Sequence, residues 1–393
     1  MIDLSLKTPA RQAFEESLRK RVVGQDDAVT QVAEMYELVE SNMVDEHKPL
    51  CTMMFLGPSG VGKSLLVKAV AGAIHDDEFA VTTINCAEFS EDHQIARIIG
   101  APPGYIGHDT CEPVLCPLNL MRGWKEKGPR ISIILFDEIE KASPKLHQLM
   151  LGLMATGEIT DGKNRNIDLT RCMIFMTSNV GSRVINQEHI GFKSRDLVEE
   201  FSVISVEAMA AAKKKFDPEF LGRLTNTAVF RSLTKDELQK ILDLELFQVY
   251  ERALRIMIGR PEFGGVVRNI FTLALTDSMR EFLLTQGPDK KYGARGLSKA
   301  VTKYVTKPLA TIIATKQVTS PGIVILDVND GVVTARFKEP TSDRRVLLAA
   351  VEHYDATGEE IPADVNPEIL RELNDGKDYV RLDGEDYINM GGR

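Results

Sequence analysis

The stretch Leu50–Ile74, LCTMMFLGPSGVGKSLLVKAVAGAI, decides the fold. A short apolar run ends in glycine, a loop of glycine and small residues follows, and an apolar segment with helical spacing comes next; together they read as buried strand, loop and helix. Working outward, the apolar runs AVTTINC, ISIILFDE and CMIFMTSN alternate with helical stretches. Near-continuous apolar strands separated by helices predict a parallel sheet with helices on both faces. Upstream, residues 10 to 42 carry helical periodicity broken at RVVGQDDAV, where Gly24 interrupts and Asp26 or Asp27 is suited to cap a second helix. This α/β domain is expected over residues 1–232.

From SLTKDELQKILDLELFQVYERALRI the pattern turns helical, and GIVILDVNDGVVTARF then reads as a strand hairpin about Asn329 to Gly331. A smaller helix-rich domain with a short β element is expected over 233–339, followed by an acidic extension over 340–393. The extension shows one helical stretch, RRVLLAAVEHY, and little other periodicity. No internal repeat or low-complexity tract is seen.

The 393-residue chain is long enough for two cores. Its net charge of −9 is concentrated after Pro340, where thirteen acidic residues face six basic ones, a local balance of −7 that leaves −2 for the rest. That distribution disfavours a general nucleic-acid or anionic-membrane surface. Five scattered cysteines and the start MIDLSLKTPARQ, which has no apolar targeting core, point to the cytoplasm. Cys111 and Cys116 are spaced C-x4-C without a second pair, so they read as ordinary thiols rather than metal ligands. No apolar run approaches the roughly 20 residues needed to span a bilayer.

Gly57, Pro58, Ser59, Gly60, Val61, Gly62, Lys63 and Ser64 match G-x-x-x-x-G-K-[ST] between a strand and a helix start that continues through Leu65. Glycines let backbone N–H groups converge on phosphate oxygens at the positive end of a helix. Lys63 adds a charge for the β and γ phosphates of ATP, and Ser64 a hydroxyl for Mg²⁺. Such a loop needs acids at a second strand end, and IILFDE supplies them. Asp137 is expected to serve Mg²⁺ through its water shell, and Glu138 to act as the base that orients the attacking water. Read alone, two adjacent acids at a strand end also suit a helix N-cap. Asn179, ending the run FMTSN, is placed either to hold the attacking water or simply to form the turn before Val180-Gly181.

These residues resemble a known family, the Clp-type AAA+ unfoldases, and within it the second ATPase ring of the two-ring members. The resemblance runs from about Val22 to Phe337 through VVGQDDAV, GPSGVGKS, IIGAPPGYIGHD, ILFDEIEKA, GEITDGKNRNIDL, MTSNVGS, FDPEFLGRL and YGARGL, in family order. It implies an AAA+ fold with a small helical lid, ATP and Mg²⁺ as cofactors, a homo-oligomeric ring expected to be a hexamer, and protein substrates. It also implies that Val22 and Val23 line the adenine pocket, that Asn179 is the sensor-one residue, that Arg223 is the finger reaching the neighbouring subunit's nucleotide, and that Arg295 is the sensor-two arginine. By the same resemblance Tyr105 and Ile106 belong to the pore loop that grips an extended polypeptide, with Gly104 and Gly107 letting it swing. Asp161, Gly162 and Lys163 resemble the tip of the second pore loop. Without the family, PPGYIG is a tyrosine in a tight turn.

The chain departs from the family pattern after the pore loop, where it reads DTCEPVLCPLNLMRGWKEK, and at Gly222, where the family usually has Asn before the finger arginine. It shows no adaptor-binding domain, first ring or coiled-coil middle domain, so a single-ring machine is expected. Ile190, Gly191 and Phe192 resemble the tripeptide with which protease-coupled members dock on a ClpP-like peptidase; such a triplet also serves as a packing anchor. The expected activity is ATP-driven unfolding or remodelling by threading. Its alternatives are a protease-independent remodeller of one complex, a nucleic-acid-directed ATPase, which would carry basic pore residues instead, and a non-hydrolysing scaffold. The acidic extension reads either as a recruitment element or as a solvating tail.

Overall fold

Every residue of Cys51–Leu56, strand β1, is buried, because the strand is flanked by others in its sheet and covered on both faces. The structure, a computed structural model, describes residues 6–101, 112–126, 128–182, 197–258, 271–287, 293–318, 322–338, 379–382 and 385–388. It divides into two units, Met1–Thr234 and Lys235–Arg393.

In the first unit, β1 is joined by β2 (Thr82–Asn85), β3 (Ser132–Asp137), β6 (Cys172–Ser178) and β7 (Asn226–Val229) in the order β2-β3-β6-β1-β7, all parallel. A small hairpin, β4 (Glu158–Thr160) and β5 (Asn166–Asp168), stands apart from this sheet. Alternation along β1 sends Cys51, Met53 and Phe55 into one core and Met54 and Leu56 into the other. Helices α1 (Pro9–Arg21), α2 (Asp26–Glu40) and α3 (Lys63–His75) cover the first core with Phe14, Leu18, Val29, Val32, Leu66 and Val70. Helices α4 (Pro144–Thr156) and α5 (Leu197–Lys215) cover the second with residues such as Leu146, Leu153, Ile204 and Ala208. The expected parallel sheet with helices on both faces is therefore present.

The start of α2 differs from the sequence reading. Its N-cap is Gln25, and Asp26 and Asp27 lie inside the first turn, where carboxylates favour the helix dipole. The Gln25 side chain does not cap the helix. It donates to the carbonyls of Val61 (3.3 Å) and Arg231 (3.0 Å) and accepts from Arg231 N (3.2 Å), tying α2 to the loop after β1.

In the second unit a long helix, Lys235–Ile258, precedes β8 (Phe271–Leu275). Helices Asp277–Gln286, Ala294–Val301 and Lys307–Ala314 follow, the last two joined by a π turn over Thr302–Thr306. Strands β9 (Gly322–Asn329) and β10 (Val332–Lys338) form the expected hairpin, turning through Asp330 and Gly331 at φ of 50° and 77°. That Asp-Gly pair supplies the two positive φ angles a twisted two-residue turn demands. Two features were not foreseen. The run FTLAL is a strand, β8, parallel to β9, and the acidic extension contributes β11 (Tyr379–Leu382) and β12 (Glu385–Ile388), with Asp386 opposite Leu275 and Tyr387 opposite Ala274. Part of the region read as an appended tail thus completes this unit's sheet, in the order β10-β9-β8-β12-β11.

Candidate functional site

The parallel register brings the carboxyl ends of the central strands to one edge. Leu56 pairs with Ser178, Phe136 with Met176 and Asn85 with Asp137, so Gly57, Asp137 and Asn179 emerge side by side. Open α/β sheets present their ligand crevices at this edge.

The loop Gly57–Ser64 leaves β1 with glycines at positive φ where the path requires them: 152° at Gly57, 78° at Gly60 and 107° at Gly62. At Gly57 a Cβ would also lie 2.5 Å from the Phe230 carbonyl oxygen, so the close approach of β7 excludes any side chain. Gly62 caps α3 with no side-chain hydrogen bond to the first turn. Lys63 is only 7% exposed, and its Nζ donates to the carbonyls of Gly57 (2.7 Å) and Pro58 (2.6 Å) and to Asn179 Oδ1 (3.0 Å). An ammonium is thereby held over the loop and linked to the end of β6. Ser64 Oγ donates to Asp137 Oδ1 at 3.2 Å, bringing a hydroxyl and a carboxylate together. Val22 is buried, and its Cγ1 would lie 3.9 Å from a Cβ at Gly62; Val23 is half-buried beside it.

Glu138 has a left-handed backbone, φ 57° and ψ 49°, an uncommon state for a residue with a side chain that clusters at functional sites. Its Oε2 receives Lys141 Nζ at 2.6 Å, and this bond raises the Lys141 pKa. Its backbone N–H donates to Thr177 Oγ1 at 3.1 Å, and the Thr177 hydroxyl in turn donates a short hydrogen bond to Asp137 Oδ1. Glu140, two residues on, accepts from Asn179 N (3.1 Å) and Asn179 Nδ2 (3.2 Å). Sequence reading singled out neither Thr177 nor Glu140. The signal available was their place, two residues before a polar strand end and two after an acidic one.

Arg223 follows the short helix Pro218–Gly222 and donates to the Leu151 carbonyl (2.5 Å) and to Glu219 Oε1 (2.6 Å). A Cβ at the preceding Gly222 would meet nothing within 4 Å, so the departure from the family's Asn opens no packing defect there. Arg295 lies exposed near the start of helix Ala294–Val301 in the second unit.

Asp161, expected at a loop tip, is 4% exposed and points into its own turn. Oδ1 accepts from Lys163 N (2.8 Å) and Arg165 N (2.7 Å), and Oδ2 from Arg165 Nε (2.7 Å). Burial pushes its pKa up, but these hydrogen bonds and the Arg165 charge outweigh it and leave the carboxyl below its ordinary value. Gly162 N donates to the Ile99 carbonyl at 2.8 Å, and Lys163 is the exposed member of the trio. Tyr105 and Ile106, Gly104 and Gly107, Cys111, and Ile190, Gly191 and Phe192 lie outside the described residues. Among the described residues no helix is long and apolar enough to cross a membrane.

The profile of the AAA domain (Cdc48 subfamily) matches residues 48–227, and that of the C-terminal D2-small domain of ClpB protein matches 266–326. The chain is 36% identical over 317 residues to chaperone protein ClpB 1 of Thermosynechococcus vestitus, covering 81% of this chain and 33% of the relative. It is 34% identical over 301 residues to the ATP-dependent Clp protease ATP-binding subunit ClpC of Staphylococcus epidermidis, covering 76% of this chain and 34% of the relative. The structure of an S. cerevisiae Hsp104:casein complex in an extended conformation superposes with a TM-score of 0.69 at 28% identity, over 85% of this chain and 53% of that one. The chain spans about a third of the length of these curated relatives. Two profiles in family order, on a strand edge that gathers Lys63, Ser64, Asp137 and Asn179, place the chain in the Clp-type AAA+ ATPases, as a member that matches their second-ring module.

Proposed function

We propose that the chain binds ATP with Mg²⁺ at the edge formed by Gly57–Leu65, Asp137 and Asn179, hydrolyses it, and uses the cycle to thread polypeptide through a homo-oligomeric ring, hexameric as the family resemblance implies. The observation that carries this reading is the convergence of the Lys63 ammonium, the Ser64 hydroxyl, the Asp137 carboxylate and the Asn179 amide at one strand edge.

The donor set fits the cofactors. A buried ammonium beside a glycine-rich helix start suits phosphate oxygens. A hydroxyl and one carboxylate are hard oxygen ligands of the kind Mg²⁺ takes while keeping waters and phosphate oxygens as its others, and the ion supplies neutralisation of charge on the transferring group. Glu138 is the base for the attacking water, its carboxylate held by Lys141 and its backbone by Thr177. Val22 and Val23 supply an apolar wall for adenine. Arg223 serves the neighbouring subunit's nucleotide, exchanging its Leu151 and Glu219 hydrogen bonds for phosphate contacts, and Arg295 serves its own subunit's. Tyr105, Ile106 and Lys163 meet the polypeptide. Protein as the substrate class is supported by the chaperone relatives and by the casein complex of the structural neighbour.

Glu138→Gln should bind fluorescent ATP with near-native affinity yet hydrolyse it at least about 100-fold more slowly, the usual weight of a general base. Wild-type turnover in that variant would overturn the nucleotide reading. Tyr105→Ala should keep hydrolysis and lose unfolding of a tagged folded protein, and unchanged unfolding would overturn the threading reading. Docking of Ile190, Gly191 and Phe192 on a ClpP-like peptidase is a further part of the proposal. Replacing the three by Ser should abolish degradation but not unfolding.

A further inference from the structure

Glu140 belongs to none of the roles given so far, yet it makes the two hydrogen bonds that fix Asn179. An asparagine amide is nearly symmetric in shape, so its partners alone decide which end faces which way. Here they differ in kind. An ionised carboxylate only accepts, and Glu140 Oε1 faces Asn179 Nδ2 at 3.2 Å; an ammonium only donates, and Lys63 Nζ faces Asn179 Oδ1 at 3.0 Å. The same Oε1 takes the Asn179 backbone N–H at 3.1 Å, so the peptide that carries the amide is pinned as well. The second oxygen, Oε2, is buried and has no hydrogen-bond partner among the described residues. A carboxylate oxygen buried without a partner is costly to keep and calls for a reason beyond packing. Lys141, which would be its nearest neighbour in sequence to neutralise it, is bonded to Glu138 instead.

We propose that Glu140 is a positioning residue for hydrolysis: it locks the Asn179 amide with Oδ1 toward Lys63 and so holds the lysine and the strand end in register with the nucleotide. This rests on the ATPase reading above. Without the carboxylate only the Lys63 bond orients the amide, and both its NH₂ end and the Asn179 backbone N–H lose their acceptor. Glutamine keeps an acceptor oxygen of the same reach; alanine removes it.

The test is a double-mutant cycle on the full-length assembled protein, using ATP turnover, fluorescent-nucleotide binding and thermal unfolding as readouts. Glu140→Ala should lower kcat about tenfold or more with KM and nucleotide affinity within about twofold, Asn179→Ala should do the same, and the double variant should be no slower than the slower single one. Glu140→Gln should recover to within about threefold of wild type, a rescue that a role in bulk packing or net charge would not pattern in this way. Wild-type kcat in Glu140→Ala, losses that multiply in the double variant, or a Gln variant as slow as Ala would each overturn the proposal. If Glu140→Ala does not fold, Glu140→Asp, which withdraws the acceptor by one methylene, takes its place in the cycle with the same expected non-additivity. Glu138→Gln run alongside separates the two readings: if it turns over at the wild-type rate the ATPase assignment fails, whereas a slow Glu138→Gln beside a normal Glu140→Ala sinks only the positioning role.

Discussion

The two units each carry a five-stranded sheet, and the sheets are built on different terms. The first is parallel and sealed on both faces: β1 and β6 are buried at every position, and their side chains divide between two cores. The second is mixed, with β8 and most of β9 buried while β10 is exposed or half-buried throughout. The proposed nucleotide site sits on the first kind. Strands clamped on both faces hold their carboxyl ends in a fixed register, and the contacts among Lys63, Ser64, Asp137 and Asn179 depend on that register. The mixed sheet instead offers an edge at β8, to which the final strand pair adds. Four cysteines show the same sealing: Cys51, Cys86, Cys116 and Cys172 are buried, and burial pushes the Cys51, Cys86 and Cys172 thiols up to about 12, which makes them apolar filler rather than nucleophiles.

The largest expected effect breaks the comparison at its centre. Phe175 on β6 is fully buried, with its ring 5.5 Å from that of Phe55. Phe175→Ala should cost about 4 kcal/mol in denaturant unfolding, because it leaves a cavity between two clamped layers. Val332 on β10 is 64% exposed, and Val332→Ser should change stability by less than about 0.5 kcal/mol. Similar costs at the two sites would show that β10 is covered by something in solution.

Asp161 sharpens the contrast between a strand edge and a loop, since its carboxylate does in one turn what the sheet does for the proposed nucleotide edge. Asp161→Ala should cost about 2 kcal/mol, the loss of charge-assisted bonds from Arg165 and Lys163. Its folded pKa lies below the unfolded one, so this stabilisation is complete above the unfolded carboxylate's pKa and is lost as pH falls through the lower folded value. The variant should therefore show a shallower acid limb in stability measured from pH 6 downward. An unchanged limb would mean the carboxylate is not held in the turn.

The doubly sealed sheet is also why much of the first unit was legible. Strands buried on both faces must be apolar at nearly every position, and CTMMFL, SIILFD and CMIFMTS announce themselves. The loop proposed to bind phosphate was legible because backbone geometry and charge fix its residue types. Strands in the second unit are less uniform: β9 opens on a buried apolar run, whereas β10 is exposed or half-buried. FTLAL is only five residues long within a largely helical stretch, and YVRL and EDYI mix charged with apolar residues. One signal was missed: Asp383-Gly384 between them is the dipeptide that most favours a two-residue hairpin turn. Side-chain bonds were the least legible. Nothing in VVGQDDAV says that Gln25 will spend its amide on Val61 and Arg231 instead of leaving the cap to Asp26.

Thr177 gives the smallest effect and the finest test of the sealed sheet. It is the penultimate residue of β6 and 1% exposed, with a hydroxyl that bridges the two acids of the neighbouring strand end: it donates to Asp137 Oδ1 and accepts from Glu138 N at 3.1 Å. Valine has nearly the same shape, so Thr177→Val removes the bridge without making a cavity. The Glu138 N–H then loses its acceptor, and among the described residues Asp137 keeps only the donor from Ser64. Net loss of such bonds should lower stability by about 1 kcal/mol. Because the left-handed backbone at Glu138 is held partly by this bond, turnover should fall about fivefold while nucleotide affinity stays within twofold, a change worth about 1 kcal/mol at the transition state. Thr177→Ser restores the hydroxyl and should restore turnover at some cost in packing. If Val and Ser variants turn over alike, the strand edge alone holds the two acids in place.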